Sequence, residues 1–251
     1  MSDLIWLLIG ITILLLIIGL LQLRTPARIM NTRFAKLIFK NTTLGDRLCE
    51  IFYGVTMVSV MIGIINITAS GYIHVKQVLL IVAFGVNISW GIIDGATAVY
   101  GGLVDQAEED RLVNSLRKNK QNQQYTAQMK DDLQGTILRK LNEQDQSKVV
   151  DMLREGMPED IKKYGASTDD LKSFLAILMM DFITVFPVLI PLYVVDGVRS
   201  AVFLSHFVAV LLFVIIGMAW AKYLNKNMLL AGTALGILGA AIIAITYYFG
   251  W

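Results

Sequence analysis

Apolar residues in this chain come in long, nearly unbroken runs, unlike the alternation of a half-buried strand or the one-sided stripe of a surface helix. Six runs, roughly 4–23, 49–69, 78–103, 171–195, 201–223 and 228–251, each approach the ~20 residues a helix needs to cross a bilayer. Between the third and fourth runs the pattern turns to helical periodicity with mixed charge. Leu112 and Leu116 stand i, i+4; Ile137, Leu138 and Leu141 form a second stripe, and Val149, Val150 and Leu153 a third. Gln121 to Gln124 interrupts the first pair, Gly156 closes the third stripe, and Pro158 opens a short final turn. Ser167-Thr168-Asp169-Asp170 has the spacing of a capping box for the helix that follows. The prediction is an all-α polytopic membrane protein with six transmembrane helices and a cytosolic helical insert.

Its expected parts are a signal-anchor helix over 1–24, a basic amphipathic linker over 25–47, two spanning helices within 48–103, the insert over 104–170, and three spanning helices within 171–251. The first run has no basic residue before it and no small-residue cleavage site, so a retained anchor is expected. An insert this small is marginal alone and is expected to rest on the membrane domain or on a second copy.

Basic residues orient the runs, because Lys- and Arg-rich connections stay cytosolic. Arg24, Arg28, Arg33, Lys36, Lys40 and Arg47 crowd the first connection, whereas the second has Lys76 and the loop over 196–200 has Arg199. Lys222 and Lys226 mark the last turn. Alternation then places 24–47 and 105–170 inside and both chain ends outside. Within 25–44, Ile29, Phe34, Leu37 and Ile38 interleave with Arg28, Arg33, Lys36 and Lys40, which suits an amphipathic helix at the headgroups; a plain connecting loop is the alternative.

Composition narrows the function classes. The chain is 55% hydrophobic and 17% charged, and its net charge of +2 offers nothing to nucleic acid. Cys49 is the one cysteine, and His74 and His206 are too far apart to form a helical i, i+4 pair. No zinc cluster, phosphate loop or nucleophile elbow is present in the sequence, and no enzyme activity or permanently bound cofactor is expected.

Two acids stand where charge is costly. Asp94 lies inside the third run and Asp181 inside the fourth, and a carboxylate near the centre of such a helix costs about 2.5–3.5 kcal/mol on insertion scales. A cation or proton path is the functional reading; a neutral acid hydrogen-bonded to a neighbouring helix is the structural one. Glu50, Gly54, Met57 and Met61 recur at helical spacing on one stripe, and Asn87, Gly91, Asp94 and Ala98 on another. Asp181 and Thr184 share a face, followed by Pro187 and Pro191, which free backbone carbonyls at membrane depth. Oxygen donors beside thioethers suit ferrous iron or manganese, although methionine is also ordinary core filler. His206 reads as an interfacial residue near the end of its helix. Asp105, Glu108 and Glu109 make an acidic patch able to gather divalent cations, or else an ordinary solvated helix surface. Gly232 and Gly236, followed by Gly239, form a small-residue face for close helix packing.

The order of the last five runs, the proline-containing Phe186-Pro-Val-Leu-Ile-Pro-Leu192, the stretch from Tyr100 to Glu108 with Gln106-Ala-Glu108, and the closing segments Phe213–Lys222 and Met228–Ala240 with Tyr247–Gly250 resemble the vacuolar iron transporter family over roughly 48–251. The resemblance implies a metal-binding cytosolic domain and a dimer. It also exposes two departures. The family's first helix carries an Asn-Asp-Gly whose aspartate serves the transport site; here Phe52-Tyr-Gly-Val-Thr-Met57 has no acid, and the glutamate before the tyrosine is Val99. The Gly-x-x-Asp-Gly form recurs as Gly91-Ile-Ile-Asp94-Gly95 on the following helix. Either the acid has moved to a neighbouring helix, or only the scaffold remains.

The expected function is therefore a divalent metal transporter for iron or manganese, coupled to protons, in the plasma or inner cell membrane. Its expected partners are membrane lipid, the transported cation, protons and a second copy in a homodimer. Asp94 is the central candidate ligand, with Asp181, Met57, Met61 and Asn87 around it and Asp105, Glu108 and Glu109 at the cytosolic mouth. The alternative is a non-transporting membrane anchor whose insert recruits a partner.

Overall fold

The computed structural model describes residues 32–68, 74–118, 127, 131, 137–156 and 165–249. The expected anchor over 1–24, the start of the linker, the break at 121–124 and the turn at Pro158 lie outside the described residues. Those described hold seven α-helices, one 3-10 turn and no strand. They are α1 (Arg33–Asn41), α2 (Leu44–Thr68), α3 (Val75–Lys118), α4 (Glu143–Gly156), α5 (Thr168–Val194), α6 (Val198–Tyr223) and α7 (Met228–Phe249). α2, α3, α5, α6 and α7 are each long and apolar enough to cross a membrane. Crossing in alternate directions, they bring the start of α2, the start of α5, the end of α6 and the start of α7 to one face. We call this the α1 side, since α1 leads directly into α2.

Two compact units divide the chain: Met1–Thr97 with Thr168–Trp251, and Ala98–Ser167. In the first unit, inward-facing Val55, Val58 and Ile62 of α2 meet Leu79 and Ala83 of α3, Val185, Val188 and Leu192 of α5, and Ala201 and Phe213 of α6 in one core. Capping starts α2 earlier than its apolar run does. Thr43 N donates to Asp46 Oδ2 at 2.8 Å and Asp46 N donates to Thr43 Oγ1 at 3.1 Å, a reciprocal box that satisfies otherwise orphaned donors. α5 begins at Thr168, directly after Ser167, where the sequence spacing put its cap.

α6 and α7 form a hairpin. Asn225 takes the left-handed conformation (φ 53°), Lys226 N donates to Ala221 O at 2.8 Å, and Asn227 Oδ1 accepts from Leu230 N at 3.1 Å to start α7. The small-residue face of α7 is used inside this hairpin. A Cβ at Gly232 would stand 3.0 Å from Val214 O, and one at Gly236 would lie 2.6 Å from Val214 Cγ2. Close packing at Gly232 and Gly236 thus joins two helices of one chain, the use expected of a small-residue face.

α1 is the amphipathic helix expected within 25–44, with one difference. Thr32 Oγ1 caps it by accepting from Ala35 N at 3.1 Å. Its apolar residues Ala35 and Ile38 are buried against Ala176, Ile177 and Met180 of α5, so protein rather than acyl chain covers that face. In the second unit α3 continues without a break to Lys118, and the boundary between units falls within it instead of at a loop near 103. The stripe at Ile137 and Leu138 begins a 3-10 turn (Ile137–Lys140), and α4 runs to Gly156 with Val150 fully buried. Asn142 and Asp145 cap α4 reciprocally at 2.9 Å, and Lys148, 2.8 Å from Asp145, holds that carboxyl below the usual carboxylate range.

Candidate metal site

Three helices of the first unit each deliver one carboxylate to the same place. Glu50 comes from α2, Asp94 from α3 and Asp181 from α5, and one oxygen from each lies within 4.8 Å of the other two. Among the described residues this is the one group of three acidic, histidine or cysteine side chains so arranged. Glu50 and Asp94 are half-buried; Asp181 is fully buried at 1% exposure.

Helix registers explain the convergence. Gly54 is one turn above Glu50, and any Cβ there would run into Thr184 and lie 3.5 Å from Asp181 Oδ1. Gly91 is one turn from Asp94, and a Cβ there would lie 3.1 Å from Asp181 Oδ2 and 2.9 Å from Leu178 Cδ1. The two glycines let α2 and α3 close on α5 until their acids meet its aspartate. Depth follows from the 1.5 Å rise per residue: Glu50 stands about 9 Å from the start of α2 and about 27 Å from its end. Asp181, by contrast, stands about 20 Å from either end of α5, at the middle of that helix, so the cluster reaches from the α1 side of α2 to mid-span of α5.

Several polar atoms here lack protein partners. Both oxygens of Asp181, Glu50 Oε2 and Asn87 Oδ1 are buried without a hydrogen bond among the described residues. Buried acceptors are normally satisfied, so the unpartnered oxygens of Asp181 and Glu50, both members of the three-carboxylate group, fit an absent donor or cation. Asn87 is fully buried on the same face of α3, one turn beyond Gly91, with its Nδ2 donating to Ala83 O at 3.1 Å. Met57 is half-buried on α2, and Met61 packs against the apolar core. Asp105, Glu108 and Glu109 belong to the second unit, where all three are exposed. Glu50, legible in the sequence only as the polar end of the stripe with Gly54, Met57 and Met61, joins the two aspartates: it sits at the edge of its apolar run, where a charge does not stand out.

The far side of the cluster is dry. Val55 and Val58, Leu79 and Ala83, and Val185 and Val188 are all fully buried there. Lys76 Nζ donates to Val195 O, tying the first turn of α3 to the end of α5. His206, expected at the interface, is instead buried: its Nε2 donates to Ser59 O and its Nδ1 meets Tyr247 OH, each at 3.1 Å, joining α2, α6 and α7.

The VIT family model matches residues 98–251, more than half of the chain. The chain belongs to the VIT family. It is accordingly a multi-pass membrane protein that transports metal ions, as the resemblance to vacuolar iron transporters implied. The matched stretch contains Asp181 and the whole second unit, while Glu50 and Asp94 precede it. A comparison with curated proteins finds no match to the chain.

Proposed function

We propose that this VIT family member exchanges a divalent cation of the ferrous or manganous kind for protons, and that Glu50, Asp94 and Asp181 form its transport site. The carrying observation is the meeting of three carboxylates from three helices within 4.8 Å, with both Asp181 oxygens unpartnered. Three negative charges this close, in a medium poorer in water than bulk solvent, require compensation by a cation or by protons. Either occupant satisfies the same oxygens, which is the requirement for exchange. An all-oxygen set favours a hard or borderline cation over one that needs thiolates. The acid missing from Phe52–Met57 has a replacement on either side: Glu50 earlier on α2 and Asp94 on α3.

Transport also needs a route past the apolar far side. Pro187 and Pro191 lie in α5 between Asp181 and that end, and the missing N–H groups leave the carbonyls of Ile183 and Pro187 without their helical donors. A bend there would open the dry layer while the α1-side end stays packed. Asn87, two turns along α3 from Asp94, offers a neutral oxygen to a departing cation, and Met57 is nearer Glu50 along α2 than Met61 is. Asp105, Glu108 and Glu109 would raise the local cation concentration as exposed charges. The homodimer expected from the family resemblance is part of this proposal.

Purified full-length protein in liposomes tests the reading. Manganese or ferrous uptake should rise when a proton gradient opposes the cation's movement, and Asp94→Asn should abolish coupled uptake while the protein still folds and inserts. Uptake by Asp94→Asn equal to the parent's, or no divalent uptake under any gradient, would refute the exchanger and favour a membrane anchor.

A further inference from the structure

α1 presents two opposed faces, and the fold accounts for only one. Ala35 and Ile38 are buried on α5, while Arg33, Lys36 and Lys40 are exposed. At 3.6 residues per turn the three basic side chains fall within an arc of about 60°, nearly opposite the buried pair. Among the described residues none of the three has a carboxylate within ion-pair distance. Lys40 interacts more remotely with Asp169, which is itself bonded to Lys172 at 2.5 Å.

A free basic amphipathic helix holds to a membrane mainly by sinking its apolar face into the acyl boundary. α1 lacks that option, because α5 occupies the face. What remains is a cationic stripe, immediately before α2, the membrane-spanning candidate that begins at Leu44. Exposed Lys226, in the turn between α6 and α7, adds a positive charge on the same membrane side. Charge complementarity at that level selects the phosphate groups of anionic lipid.

We infer that Arg33, Lys36 and Lys40 form a binding surface for anionic phospholipid headgroups, with α1 strapping the lipid layer to α5. The strap touches α5 at Met180, the residue before Asp181. Lipid bound on one face of α1 therefore steadies the helix that carries the most buried acid of the cluster. This inference needs only the membrane setting and stands independently of which ion is carried.

Titration of the detergent-solubilised full chain with phosphatidylglycerol and with phosphatidylcholine, read by native mass spectrometry, measures the surface without using metal. The parent should prefer phosphatidylglycerol, and each of Arg33→Gln, Lys36→Gln and Lys40→Gln should weaken that preference about fivefold, cumulatively. High salt should weaken it as well. In nanodiscs, phosphatidylglycerol should slow hydrogen exchange of α1 in the parent and leave the triple variant unchanged. Equal binding of the two lipids by the parent, or an undiminished preference in the triple variant, would overturn the inference. Because all three positions are exposed, their replacement leaves the packed face of α1 intact.

Discussion

Two groups of acids in this molecule have opposite characters. Asp105, Glu108 and Glu109 are close in sequence, lie on one helix and are exposed. Glu50, Asp94 and Asp181 are far apart in sequence, come from three helices and meet within 4.8 Å. The first group is conspicuous to the eye and cheap for the protein, since water solvates each charge. The second is costly and scattered, and only the fold assembles it. Clustering in sequence measures charge density; convergence in space creates a candidate ligand set.

The sharpest way to break this contrast is to remove charge from the convergent group. Asp181→Asn should lower divalent-cation binding by ~100-fold, since ligand charge sets affinity at oxygen sites, and isothermal titration on the purified protein reads it directly. Glu50→Gln should cost about tenfold by the same measurement, because this acid is half-buried and partly solvated. Binding unchanged by Glu50→Gln would reduce the site to two aspartates.

Steric change should come next. Gly91→Ala keeps every charge but sets a methyl group 3.1 Å from Asp181 Oδ2 and 2.9 Å from Leu178 Cδ1. Overpacking of this kind costs about 1–3 kcal/mol, so a thermal shift and weakened cation binding should appear together. Acidification is a gentler form of the same test: protons compete for the ligand oxygens, so cation affinity should fall steadily as pH falls. The smallest effect belongs to the exposed group. Asp105→Asn, Glu108→Gln and Glu109→Gln together should alter uptake less than about twofold, and only at low salt, as expected for screened surface charge.

Much of the fold was legible because apolar runs of spanning length have few alternative explanations. The runs over 49–69, 78–103, 171–195, 201–223 and 228–251 each became a helix. Their ends moved where local polar chemistry ruled, as when the Thr43–Asp46 box pulled the start of α2 back to Leu44. The end of α3 was not legible, because a helix that leaves the membrane can continue in water with polar residues and no stop signal. Asp94 and Asp181 stood out as charges in apolar surroundings. Glu50 did not, since its meeting with the two aspartates depends on Gly54 and Gly91 bringing three helices together, and that register is a tertiary fact. His206 was misread for a related reason: its partners Ser59 and Tyr247 lie on other helices.

The three-carboxylate set also has an electrical consequence. A cluster holding three protons is neutral, and one holding a divalent cation with a single proton is neutral too. Exchange between these two forms moves no net charge through the dry layer around Val55 and Val185. Membrane voltage, which acts only on charge that moves across the field, would then have no grip on the carrier. A potassium diffusion potential imposed on liposomes should leave metal uptake unchanged, whereas the pH gradient should control it.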